Sequence, residues 1–146
     1  MNRSRPTDLL ETGRSGRGVV AVIVRDARFL VIRRSHLVTA PAHYCFPGGG
    51  VELGETDERA VQRELMEELS IDGAEAIRCV WRCRTPSGVA LTWWLTMVAP
   101  DCRPVASPAE VAEVHWLFAE EILLLPQLLE TNRRFLRDLQ CGRVQL

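Results

Sequence analysis

Lysine is absent from this chain of 146 residues, so all 18 of its basic side chains are arginine. Genome base composition suffices as a cause, although arginine is also the side chain best built to hold two phosphate oxygens at once. Long hydrophobic runs are missing too. No apolar stretch approaches the ~20 residues of a membrane span, and none of signal-peptide length follows Arg3 and Arg5. These absences exclude a membrane-spanning helix and lead to the expectation of a cytoplasmic protein without a membrane partner. A net charge of -1 supplies no uniform positive field, which argues against a general nucleic-acid binder. The cysteines, Cys45, Cys79, Cys83, Cys102 and Cys141, are odd in number and contain no C-x-x-C pair. That excludes a disulfide framework or a zinc knuckle and leaves buried, inert thiols as the expectation.

What is present is an ordinary globular balance, 47% hydrophobic and 25% charged. A chain of this size buries roughly two-thirds of its unfolded surface, enough for one domain without disulfides or a structural metal. Residues 1–17 are polar and read as a flexible N-terminal arm, and residues 18–146 as a single domain. Val19 to Val24 and Phe29 to Ile32 are strand-like runs, expected to pair across a tight link at Asp26-Ala27. Val61, Leu65 and Leu69 recur every four residues with Ala60 beside them, predicting a helix over 55–69 with Thr56 as its N-cap. Ile77, Cys79, Trp81 and Cys83 alternate with mainly polar residues. With the turn Thr85-Pro86-Ser87-Gly88 and the run Val89 to Ala99 they predict a hairpin. A short strand at Val114 to Phe118, a helix from Ala119 stopped by Pro126, and an amphipathic helix marked by Leu128, Leu129, Asn132, Phe135, Leu136 and Leu139 complete the pattern. The expected class is α/β (α+β), a mixed sheet between helices.

The chemistry lies between Gly49 and Ile71. Glu64, Glu67 and Glu68 stand at i, i+3 and i+4, which places three carboxylates on one helix face, about 5–6 Å apart at Cβ. Taken alone, such a cluster is most often a solvated acidic face. An all-oxygen cluster otherwise selects a hard divalent cation, Mg²⁺ or Mn²⁺, which keeps positions open for substrate phosphates. The glycines before it, Gly48-Gly49-Gly50, let backbone approach a ligand closely.

The full spacing resembles the signature of Nudix hydrolases, G-x5-E-x7-R-E-U-x-E-E-x-G-U with U a bulky apolar residue. Gly49, Glu55, Arg63, Glu64, Glu67 and Glu68 fill its glycine and charged positions, and Leu65 and Ile71 its apolar ones. At background frequencies of about 6–7% per position, chance gives such a match on the order of once in 10⁵ chains of this size. Phe46-Pro47-Gly48-Gly49 ahead of the box, and Val114-His115-Trp116-Leu117 with Glu120-Glu121 after it, are similar to the family's flanks. Ser70 stands where the signature has glycine.

The resemblance implies an α/β/α sandwich that hydrolyses a nucleoside diphosphate linked to another group, with Mg²⁺ or Mn²⁺ as cofactor. It implies Glu67 and Glu68 as metal ligands, Glu64 as ligand or general base, and Gly49 and Glu52 as further ligands. Arg63 would hold a box carboxylate, with Glu55 as partner. One more acidic residue away from the box is a family habit, and Glu110 and Glu113 are the candidates, beside their reading as ordinary loop and strand-edge charges. Arg33 and Arg34 follow a strand beside the site, so that one reaches a phosphate while the other faces solvent. Tyr44, Phe46, Trp93 and Trp94 are the candidates to stack a substrate base, with Tyr44 and Phe46 expected to bind substrate. Trp93 and Trp94 point to opposite sheet faces, so at most one of them serves the site. His36, His43 and His115 have no ligand spacing. Pro86 stands where a proline accompanies ADP-ribose as substrate in some relatives, although the turn explains it equally. A homodimer is a further expectation from the family. Two other readings stay open: a silent nucleotide-sensing module, and a docking domain that uses the acidic helix face.

Overall fold

The computed structural model describes residues 14–146. The arm expected over residues 1–17 lies outside the described residues as far as residue 13. Its last part is a correction: β1 runs Arg14–Val22 and begins four residues before the expected domain boundary. Polar composition conceals this start because it lies on the rim of a sheet, where Ser15 Oγ donates to the Val51 carbonyl at 3.1 Å and Arg17 pairs with Asp57. The other strands are β2 Val24–Arg25, β3 Arg28–Arg34, β4 Tyr44–Cys45, β5 Gly48–Glu52, β6 Glu75–Arg84, β7 Ala90–Met97 and β8 Val111–Leu117. The helices among the described residues are α1 Asp57–Leu69, α2 Ala119–Leu123 and α3 Glu130–Gln140.

The first sheet has the order β5-β1-β7-β6, with β1 parallel to β7 and antiparallel to β5. In the second, β3 pairs antiparallel with β2, β4 and β8. The run Val19 to Val24 is therefore not one strand paired with the next. Both edges of β1 are occupied by β5 and β7, so the chain leaves the first sheet at Ile23, whose carbonyl accepts the Leu30 N–H at 3.0 Å, and pairs with β3 through β2. Asp26 and Ala27, with φ of 52° and 64°, make the two-residue turn whose twist suits that hairpin.

Alternation along β1 divides the interior in two. Val19, Ala21 and Ile23 face α1 and pack with Ala60, Val61, Leu65 and Leu69. Val20 and Val22 face the other way, into Trp93, Phe135 and Leu136. Helices thus cover both faces of a mixed sheet, the sandwich expected. Trp93 belongs to the α3-side core and Trp94 to the α1-side core, on opposite faces as alternation requires. The β6–β7 hairpin forms, but register shifts between Ala76 and Arg78 and between Cys79 and Trp81 break the strict alternation of β6. Such shifts insert an unpaired residue, which leaves Ile77 exposed and turns Val80 inward.

Two further features bear on the site. The glycine run is part of a strand, since β5 begins at Gly48. A side chain on Gly48 would collide with the Val19 carbonyl, so close pairing with β1 requires glycine there. Strand β8 begins at Val111, three residues earlier than expected.

Ser70 caps α1 in the left-handed region, φ 53° and ψ 32°, its N–H donating to the carbonyls of Leu65 and Met66. That geometry is the one the signature glycine adopts without cost. A residue with a Cβ gives up about 1 kcal/mol there. Ser70→Gly is therefore expected to raise the melting temperature by about 2–4 °C without changing activity, read by thermal melting and turnover side by side.

Candidate active site

Helix α1 starts at Thr56, whose hydroxyl accepts from the Arg59 N–H at 3.2 Å, and Asp57 and Glu58 occupy its first turn. Asp57 also accepts from Thr92 Oγ1 at 2.8 Å, which ties the helix to β7. The box glutamates do not share one environment. Glu64 and Glu68, one turn apart, lie over β5 and are each only 6% exposed. The Glu67 side chain is 48% exposed and turns outward. Glu64 sits against Gly49, where any side chain would meet its carboxylate. Glu68 Oε1 accepts from the Gly48 N–H at 3.0 Å.

Arg63 organises the outer half of the cluster. Its Nε and Nη2 reach the two Glu55 oxygens at 2.8 and 3.0 Å, a fork on a carboxylate. Nη2 also donates to the Gly50 carbonyl at 2.8 Å, and Nη1 donates to Glu64 Oε1 at 3.0 Å and reaches Glu67 Oε2 at 3.3 Å. Glu55 in turn accepts from the Glu52 N–H at 3.0 Å. The Glu52 carboxylate stands 3.6 Å from Arg63 at the edge of this network.

Burial dominates the inner half. It pushes the Glu64 carboxyl up to about 7 against the pull of Arg63, with Glu67 and Glu110 adding repulsion. Burial, then Glu64 and Glu110, hold Glu68 well above the usual carboxylate range, opposed by the Gly48 N–H and by Arg34. Glu110 thus acts electrostatically on both box glutamates. Its Oε2 is buried and has no hydrogen-bond partner among the described residues.

The paired candidates separate cleanly. Glu110, just ahead of β8, faces the box, whereas Glu113, inside β8, does not. Glu113 binds Arg33 at 2.9 Å and His115 at 2.8 Å. Arg34 acts on Glu68 and is itself held by the Thr39 carbonyl at 2.6 Å. Arg33 stacks over Tyr44, 5.3 Å from the ring centroid. Alternation puts Arg33, Tyr44 and Glu113 on the sheet face opposite Cys45 and the box. Arg33, Tyr44 and Glu113 therefore form their own cluster rather than joining the carboxylates. Phe46 is a correction. Its ring is 3% exposed, enclosed by Phe29, Trp93 and Phe135, and unable to stack on a ligand. Of the thiols expected to be buried, Cys45 is, and burial pushes it up to about 11, whereas Cys79, Cys83 and Cys102 are half-buried and Cys141 is exposed. Asn132, read from sequence only as part of a helix face, is a buried polar side chain. It accepts the Phe46 N–H at 2.8 Å. A polar residue within an apolar stripe was its only signal.

Among the described residues, no group of three or more His, Cys, Asp or Glu is already arranged to hold a metal ion. The donors nevertheless fit a hard divalent cation in kind. Glu64, Glu68 and Glu110 offer only oxygen and repel one another, the first two are buried, and the buried Oε2 of half-buried Glu110 has no hydrogen-bond partner among the described residues. A cleft of about 460 Å³ lined by Arg25, Asp101, Arg103, Val114 and Trp116 contains none of these carboxylates.

Fold and site together define a sandwich built around a carboxylate-bearing helix, clamped by one arginine and backed by a glycine strand. A family profile described as NUDIX domain matches residues 14–139. The chain belongs to the Nudix hydrolase family. It is 34% identical over 120 residues to the NAD-capped RNA hydrolase NudC of Escherichia coli O1:K1, covering 82% of this chain and 46% of that protein. The chain thus spans about half the length of that curated relative. It is 31% identical over 110 residues to the CTP pyrophosphohydrolase of Escherichia coli K12, covering 74% of this chain and 79% of that one. Its fold matches the crystal structure of a MutT NUDIX hydrolase from Burkholderia pseudomallei with a TM-score of 0.61 at 30% identity, covering 82% of this chain and 94% of that one.

Proposed function

We propose that this chain hydrolyses the pyrophosphate bond of a nucleoside diphosphate linked to another group, with Mg²⁺ or Mn²⁺. The observation that carries the reading is the buried pair Glu64 and Glu68 with half-buried Glu110 beside them, one Glu110 oxygen being buried and unpartnered. Glu68 and Glu110 would hold the ion, with Gly49, Glu52 and Glu67 at its margin. The ion, when bound, would screen the pyrophosphate charge that repels a nucleophile. Glu64 is held near neutrality by its surroundings, the range in which a carboxylate takes a proton from water effectively. Arg63 fixes Glu64 from the side, and Arg34 extends a positive charge towards substrate phosphate. ADP-ribose and nucleotide sugars are the first substrates to test, with oxidised nucleotides and dinucleoside polyphosphates next. Pro86 lies in the β6–β7 turn, which is reason enough for a proline.

One observation favours a silent binding module instead: Arg63 contacts both Glu64 and Glu67, the side an ion would approach. The deciding experiment is turnover of a panel of nucleoside diphosphate derivatives with Mg²⁺ and with Mn²⁺, Glu68→Gln serving as blank. Divalent-dependent release of a monophosphate supports the enzyme. Nucleotide-induced stabilisation without turnover of any compound supports the module.

The raised carboxylates give a second check. A carboxyl whose folded pKa exceeds its unfolded value stabilises the fold below the unfolded pKa. That contribution disappears as pH rises through the folded one. For Glu64 the window runs from about 4.5 to about 7, and Glu68 moves the same way. Protein in chelator is therefore expected to melt lower at pH 8 than at pH 6, and saturating Mg²⁺ to raise the melting temperature more at pH 8. An equal Mg²⁺ effect at both values, measured by calorimetry, would remove these carboxylates from the ion site.

A further inference from the structure

We infer that Asn132, on α3 and far from the signature in sequence, is a positioning residue for the box carboxylate Glu68. Phe46 falls in the gap between β4, which ends at Cys45, and β5, which begins at Gly48. No sheet ladder serves its N–H there. Asn132 Oδ1 accepts that N–H at 2.8 Å, in a fully buried setting. The neighbouring inward residues of α3, Phe135 and Leu136, are apolar and completely buried. A leucine at 132 would suit that stripe but would strand the Phe46 N–H without an acceptor, which buried backbone rarely tolerates. The amide is fixed from its other end, where Nδ2 donates to Thr131 Oγ1 at 3.2 Å.

Two backbone bonds reinforce the contact. The Tyr44 N–H donates to the Gln127 carbonyl at 3.0 Å, and the Leu129 N–H to the Tyr44 carbonyl at 3.1 Å. The segment leading into α3 is thus a splint along residues 44–46. From Phe46 the chain passes through Pro47, whose carbonyl accepts from the Ala21 N–H at 2.8 Å. It then reaches Gly48, whose N–H holds Glu68 Oε1 at 3.0 Å. Proline fixes its own φ, so a shift of the Phe46 backbone is carried to Gly48 rather than absorbed. Misplacing a catalytic group by about 1 Å costs on the order of a hundredfold in rate. A side chain that sets this backbone therefore sets the carboxylate.

The inference rests on Glu68 being part of the working site, but its first readout does not. In metal-free protein, Asn132→Ala is expected to speed exchange of the Gly48 amide at least tenfold and to move the Glu68 carboxyl resonance in NMR spectra. Leu136→Ala, one turn along the same helix, empties more of the core but breaks no bond to residues 44–48, and should leave both signals in place. Asn132→Asp keeps an acceptor at the same atom and should restore them. Mn²⁺ titration followed by electron paramagnetic resonance should give about tenfold weaker binding for Asn132→Ala than for Leu136→Ala. Unmoved Gly48 and Glu68 signals in Asn132→Ala, or equal movement in Leu136→Ala, would overturn the inference. Should the natural chain bind no Mn²⁺, the metal reading fails, and the NMR signals still decide the role of Asn132. If Asn132→Ala does not fold, Asn132→Gln, which displaces the amide oxygen, carries the same test.

Discussion

Glu68→Gln is expected to lower kcat at least about a thousandfold while the metal-free protein melts at the same temperature or higher. The two halves of that expectation have different causes. In the absence of an ion, Glu68 is a buried carboxyl repelled by Glu64 and Glu110. Glutamine has the same shape, keeps an oxygen for the Gly48 N–H, and removes the charge that burial disfavours. The fold therefore loses nothing. Catalysis loses a charged ligand in a site that must offset a pyrophosphate. A metal contributes several kcal/mol to such a transition state, and about 4 kcal/mol corresponds to a thousandfold in rate. Mg²⁺ should also cease to raise the melting temperature. Activity and stability falling together would instead mean that Glu68 is structural, and a kcat within tenfold of the natural chain would remove it from the ion site altogether.

How far this behaviour could be read in advance differs from residue to residue. Helix α1 is legible because its apolar stripe, its N-cap and its acidic first turn all indicate one element, and only its first residues differ from expectation. The clamp of Arg63 on Glu55 follows from the resemblance and stands in the structure at 2.8 Å. Spacing alone could not separate Glu67 from Glu68, because i+3 and i+4 are both neighbours of Glu64 on a helix. Which of them is buried depends on where β5 crosses, a tertiary fact. The choice between Arg33 and Arg34 depends in the same way on the phase of β3. Glu110 and Glu113 separate only once the start of β8 at Val111 is known. An aromatic beside glycines looks like a stacking platform until its neighbours appear, and Phe29, Trp93 and Phe135 are distant from Phe46 in sequence. The division of Val19 to Val24 between two sheets could not be read either, since composition does not show which strand edges are already taken.

Arg63→Lys is expected to lower the melting temperature by about 5–15 °C and kcat/KM by about a hundredfold, even though the charge is kept. Lysine offers one ammonium in place of a planar fork. It cannot hold both Glu55 oxygens, the Gly50 carbonyl and Glu64 together, as the guanidinium does. These groups are largely shielded, Arg63 being 20% and Glu55 13% exposed at the side chain. Lysine keeps the charge but gives up two or more charge-assisted hydrogen bonds worth about 1.5–3 kcal/mol each, and partial access to water brings the loss to about 2–4 kcal/mol. Loss of rate follows from Glu64, which Arg63 holds in place. Arg63→Ala then separates a clamp from a plug. As a clamp, Arg63 orders the carboxylates, and its removal weakens Mn²⁺ binding along with stability. As a plug, Arg63 occupies ground that an ion needs, and its removal strengthens Mn²⁺ binding in spite of the lost stability. The distances favour the clamp, since the shortest bonds go to Glu55 and to the Gly50 carbonyl and the longest to Glu67. Tighter Mn²⁺ binding in the alanine variant, measured at a temperature where both proteins are folded, would reverse that assignment and with it the proposed chemistry.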